Sequence, residues 1–205
     1  MTMDAAMSRA TSGTVDSPLI PLPEHIAELL SDVGSPLRLV AHLRAVHDVA
    51  HQLVAWLEKH RPTLIFDREA VLFGAATHDI GKAVHLGELS GPGSAHEEAG
   101  QALLLGRGVN PEHARFAATH ASWTRQDVGL EDLLVSLADK IWKNKRVPDL
   151  EDLIGGPPVR GHWPSDVGGV HRPRRDPLSH RRPGRRTTGV SGILPDPQLK
   201  AGDTP

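Results

Sequence analysis

Between residues 36 and 146 apolar side chains return at intervals of three and four, and no run alternates with period two for long enough to build a sheet. An α-helix gathers that spacing onto one face. The expected class is therefore all-α, a single compact bundle of about five or six helices. The strongest stretch starts at Pro36, suited to a first turn, and runs to about residue 60, with Val40, Leu43, His47, Ala50, Val54 and Leu57 on one side. His47 thus lies within the stripe expected to face the core.

The flanking helices carry their own start and stop signals. Residues 24–33 form a short amphipathic helix ended by Gly34. Asp67 caps a helix bearing Val71, Leu72 and Ala75, which arrives at His78 and Asp79 with Gly81 placed to stop it. Ser94 and Glu97 form a capping box for a helix over about 95–106 that carries His96 near its start. Asn110 and Pro111 open another, reaching His120. The last spans about 130–146, with Leu133, Leu134, Leu137, Ala138, Ile141 and Trp142 as its apolar set and Pro148 closing it. Asp139 is embedded in that set, where an unpaired carboxylate is costly.

The ends read differently. Residues 1–21 are small and polar and are expected to be a disordered leader, which places the folded domain at 22–154. From Glu151 onward, 18 of 55 residues are Gly or Pro, with much Arg and His between them. Residues 155–205 are therefore expected to be a disordered tail, either native or the product of a shifted reading frame, since Asp149 to Ile154 reads as the start of a helix cut short. Charge is uneven: 14 Lys and Arg against 19 Asp and Glu up to Leu150, then 9 against 6. That balance gives no case for nucleic acid, and no apolar run is long enough to cross a membrane, so a cytoplasmic protein is expected.

The chain has no cysteine but 13 histidines, so a metal site must be built from His, Asp and Glu. A lone histidine in an apolar stripe is ordinarily a core residue. Here, however, His47, the His78-Asp79 pair and Asp139 come from three helices and together offer two imidazoles and two carboxylates. That mixture suits a divalent transition metal or a harder ion.

The strings Val46-His47-Asp48-Val49-Ala50, His78-Asp79-Ile80-Gly81-Lys82 and Leu137-Ala138-Asp139-Lys140 resemble the HD-domain superfamily of metal-dependent phosphohydrolases. Its pattern is a histidine, an adjacent His-Asp and a distant aspartate; the resemblance covers about residues 36–146. It implies an HD-type bundle in which His47, His78, Asp79 and Asp139 ligate one ion. Some branches add two histidines between the pair and the last aspartate, and the aspartate of the pair then bridges two ions. His96 and His120 stand in that order here. Their other readings, a first-turn surface residue and a helix-end cation, stay open.

The resemblance further implies a phosphohydrolase that cleaves a phosphate ester or anhydride, with metal-activated water as nucleophile and a nucleotide as the expected substrate. The expected cofactor is one or two ions of Mn, Fe, Co, Ni or Mg. Asp79 and Lys82 are the candidate catalytic residues; Lys82, Arg125 and Lys143 are candidates for substrate binding, with Trp123 near the mouth. His42, His51 and His85 are read as supporting or solvated residues, His51 being the one nearest in register to His47. The alternative is a catalytically silent regulatory module that binds a nucleotide.

Overall fold

The computed structural model describes Met7, Thr11 and residues 19–155, all within the first of the chain's two units, Met1–Val170. The second unit, His171–Pro205, and with it most of the Gly/Pro-rich tail, lies outside the described residues. Every regular element described is helical, so the class is all-α.

The elements are α1 (Glu24–Asp32), α2 (Leu37–His60), α3 (Arg68–Thr77), two 3₁₀ turns (Ile80–Ala83 and Leu86–Leu89), α4 (Ala95–Gly106), α5 (Pro111–Ala114), α6 (Phe116–Thr119), α7 (Leu130–Trp142) and α8 (Pro148–Leu153). The single helix expected over 111–120 is two one-turn pieces, nearly continuous because Arg115 between them keeps right-handed helical dihedrals. No described helix is long and apolar enough to cross a membrane.

At 24 residues, α2 is about 36 Å long and serves both halves of the core. Its later turns, with Val49, Leu53 and Leu57, pack on Val71 and Ala75 of α3, Leu134 and Leu137 of α7, and Phe116. Its first turns, with Leu39, Val40 and Leu43, join Ile26 and Leu30 of α1 to Ile80, Leu104 and Ala117. In the chain, His78 and Asp79 fall between Ala75 of the first cluster and Ile80 of the second. The pair is therefore held by apolar packing on both sides.

Local signals explain most boundaries, and three readings differ from expectation. Asp67 caps α3 through Ala70 N–H (3.1 Å), and Asn110 caps α5 through Glu112 N–H (2.9 Å), as expected. Helix α7 stops at Trp142 rather than near residue 146, because Asn144 turns left-handed (φ 53°); its N–H reaches Ile141 O (2.9 Å) while Lys145 N–H reaches Lys140 O (2.9 Å). Gly81 is not a left-handed stop. A Cβ there would lie 1.9 Å from the His96 carbonyl oxygen and 2.6 Å from Gly100 N, so this glycine lets the α4 backbone settle against the first 3₁₀ turn. Ser94 makes no side-chain cap; Glu88 takes that role by accepting Ala95 N–H and His96 N–H (both 3.1 Å).

Leu19 and Ile20 are tied to α2, while most of residues 1–18 lie outside the described residues. The Arg44 guanidinium donates to Leu19 O (2.6 Å) and Ile20 O (3.2 Å), and Asp48 accepts Ile20 N–H (3.0 Å). Arg44 and Asp48 are both buried beneath them.

Candidate metal centre

Three helix ends and the side of α2 converge on Asp79. Helix α3 delivers His78 as its C-terminal cap and Asp79 immediately after, where the chain tightens into the 3₁₀ turn. His96 comes from the first turn of α4 and His120 from the end of α6. Thr119 Oγ donates to Asp132 Oδ1 (2.6 Å), which ties the turn before His120 to the start of α7. Asp139 projects from the buried face of α7, and His42 from the second turn of α2.

These residues form two groups close enough to hold a cation: His42, His78 and Asp139; and Asp79, His96 and His120, with the ligating atoms of each group within 4.8 Å of one another. Asp79 also faces the first group. Its Oδ2 lies 3.1 Å from His42 Nε2 and 3.6 Å from His78 Nε2, while its Oδ1 lies 3.1 Å from His96 Nε2 and 3.4 Å from His120 Nε2. Asp139 Oδ1 stands 3.7 Å from His78 Nε2 and 3.8 Å from His42 Nε2.

The outer nitrogens fix what the inner ones can do. His78 Nδ1 meets Ala75 O (3.0 Å), His120 Nδ1 meets Ala117 O (3.0 Å) and His96 Nδ1 meets Glu88 Oε2 (2.5 Å). Each of these oxygens only accepts, so each Nδ1 donates and the neutral ring turns an Nε2 lone pair inward. Lone pairs then face carboxylate oxygens. Accordingly, His78 Nε2, His96 Nε2, Asp79 Oδ1 and Asp139 Oδ1 are buried without a hydrogen-bond partner. Native structures leave few such atoms. A cation between the inward atoms would satisfy all four, and the mixed nitrogen and oxygen donors suit a divalent ion.

Without a cation, a proton on the inward ring nitrogens takes its place beside the carboxylates and favours their ionised form. Burial by itself would raise Asp79, but His78, His120, His42 and His96 around it hold it far below the usual carboxylate range. Burial likewise opposes ionisation of Asp139, and the facing His78 ring with the Lys143 and Lys140 ammonium groups overcomes it. Burial pushes His78 down, against the opposing pull of both aspartates. His96 is the exception: burial lowers it, but its carboxylate neighbours Asp79 and Glu88 raise it on balance.

Three lysines stand at the carboxylates. Lys82 Nζ is 2.7 Å from Asp79 Oδ2, while Lys143 Nζ (2.6 Å) and Lys140 Nζ (3.1 Å) share Asp139 Oδ2. Lys140 also lies over the Trp123 ring, 5.2 Å from its centroid. The Trp142 indole, 37% exposed, packs edge-on against His42 with centroids 4.5 Å apart.

Of the residues expected from the sequence, His78, Asp79, Asp139, His96, His120, Lys82 and Lys143 come together here. His47 does not. It lies five residues after His42, about 140° further round α2, and is buried with its ring edge-on to His51 at 4.6 Å. The position expected of it is held by His42, 14% exposed at the border of the stripe. His51 approaches His47 and Arg68 rather than the carboxylates. Arg125 is engaged by Asp127 (2.8 and 2.5 Å) and lines a separate hollow of about 470 Å³ with Trp123, Val128, Leu133 and Leu153. Glu88 was not singled out from sequence at all. No protein-family model, curated protein or solved structure matches the chain.

Proposed function

We propose that the chain is a metal-dependent phosphohydrolase of the HD-domain superfamily, acting on a phosphate ester or anhydride of a nucleotide. The observation that carries this reading is the Asp79 carboxylate, whose two oxygens face two His/Asp groups across buried atoms that lack any other partner. His42, His78, Asp139 and Asp79 would hold one divalent ion; Asp79, His96 and His120 would hold a second. His42 replaces His47 in the ligand set implied by the resemblance. Mn, Fe, Co, Ni and Mg are all compatible with these donors.

Ions bound there would make water more acidic and offset charge on phosphoryl oxygens. The protein's own groups do the remaining work. Lys82 and Lys143 hold phosphate oxygens as point charges beside the two carboxylates. Asp79 orients the attacking water by accepting its hydrogen bond. The exposed Trp142 face offers a flat apolar surface for a nucleobase next to His42. Burial of His78, Asp79 and Asp139 keeps bulk water from competing at the ligating atoms.

The test is to purify the full chain, measure its metal content, and assay nucleoside phosphates, cyclic nucleotides and dinucleoside phosphates with each ion in turn. Hydrolysis that disappears together with bound metal in Asp79→Ala is the expected result. Metal uptake with tight nucleotide binding but no product would replace the enzyme by a regulatory module.

A further inference from the structure

We infer that Glu88 is a positioning residue for the second ion: its carboxylate fixes the ring orientation and proton location of His96, so that His96 Nε2 faces Asp79 as a lone pair. The inference rests on the proposed metal reading and adds a residue outside the ligand set. His78 and His120 are oriented by backbone carbonyls of their own helices, Ala75 O and Ala117 O. His96 has no such carbonyl, because it stands in the first turn of α4. A side chain from another element supplies the acceptor instead.

That side chain is Glu88, from the 3₁₀ turn Leu86–Leu89. Its Oε2 accepts from His96 Nδ1 at 2.5 Å and from His96 N–H at 3.1 Å, while Oε1 accepts Ala95 N–H at 3.1 Å. One carboxylate therefore grips both the backbone and the ring of the same residue, at the positive end of a twelve-residue helix. The loop is shaped to admit it. Gly93 has φ +151°, and a Cβ there would lie 2.2 Å from Glu88 Oε1. Carboxylate–imidazole–metal relays of this kind make the ligand a better donor and set which nitrogen meets the ion.

The experiment titrates the metal-stripped full chain with cobalt(II), following its visible absorption, alongside thermal melting of each metal-free protein. Wild type is expected to show two binding steps, of which His42→Ala removes one and His120→Ala the other. Glu88→Gln keeps the side-chain length but has one acceptor oxygen and no charge: with that oxygen on His96 its amide N–H group is set against Ala95 N–H, and with the oxygen on Ala95 N–H it is set against His96 Nδ1–H. It is expected to weaken the His120-dependent step about 10- to 100-fold and leave the His42-dependent step unchanged. Gly93→Ala, which displaces the carboxylate, is expected to do the same. A purely structural cap would lower metal-free melting without separating the two steps. Two wild-type steps that both variants leave unchanged, or weaken equally, would overturn this inference alone; a wild type that takes up no cobalt would overturn the metal reading and this inference with it.

Discussion

Replacing His47 with leucine tests the assignment of that ring to the core. Burial, with the neighbouring His51 second, lowers its pKa to about 4, against about 6.5 in an unfolded chain. Above pH 7 both states are neutral and His47 contributes nothing to the pH dependence. As pH falls from about 6.5 towards 4, the unfolded chain takes up a proton that the native chain refuses, so stability is lost through that window and levels off below it. The full shift corresponds to about 3 kcal/mol, and to about 1.4 kcal/mol at pH 5.5. Urea unfolding of metal-free wild type and His47→Leu at pH 7.5 and 5.5 measures the difference. The drop in unfolding free energy between the two pH values is expected to be about 1 kcal/mol smaller in the variant. Parallel drops would refute the buried, neutral placement, and loss of bound metal in His47→Leu would return the residue to the ligand set.

Other predictions follow from the same contacts. Gly81→Ala forces a Cβ into the His96 carbonyl, so chemical denaturation should show a loss of about 1–3 kcal/mol, and ion binding through His96 should weaken with it. Lys82→Met should keep its metal, by elemental analysis, while kcat/KM for a phosphate substrate falls about 10- to 100-fold. Chelation should lower the melting temperature, because each ion present at a hundred times its dissociation constant stabilises the fold by about 2.7 kcal/mol.

What could be read from the sequence was the local signal. The helical class, the caps at Asp67 and Asn110, and the arrival of α3 at His78-Asp79 all follow from periodicity and capping chemistry confined to a few residues. The choice between His42 and His47 does not. Both lie on faces of α2 turned towards the protein, and the middle of the apolar stripe favours His47. In the proposed reading the ligand must also meet substrate, which favours the stripe's border, where one side is core and the other solvent, and His42, 14% exposed, stands there. The neighbouring Asp48 is occupied with Ile20 N–H and the Gln52 side chain. Glu88 and Gly81 act through contacts with α4; nothing in their immediate sequence announces a partner eight or fifteen residues away. The early end of α7 has a similar cause, since Asn144 adopts a left-handed turn that many residues could have avoided.

The central claim is that Asp79 stands between two His/Asp groups, one built with His42 and the other with His96 and His120. Elemental analysis of the full chain, saturated with manganese or cobalt and then freed of excess ion by gel filtration, tests it most directly. The account predicts two ions per wild-type chain, one in His42→Ala and one in His120→Ala. A wild type that retains no ion, or a His42→Ala chain that retains both, would contradict it.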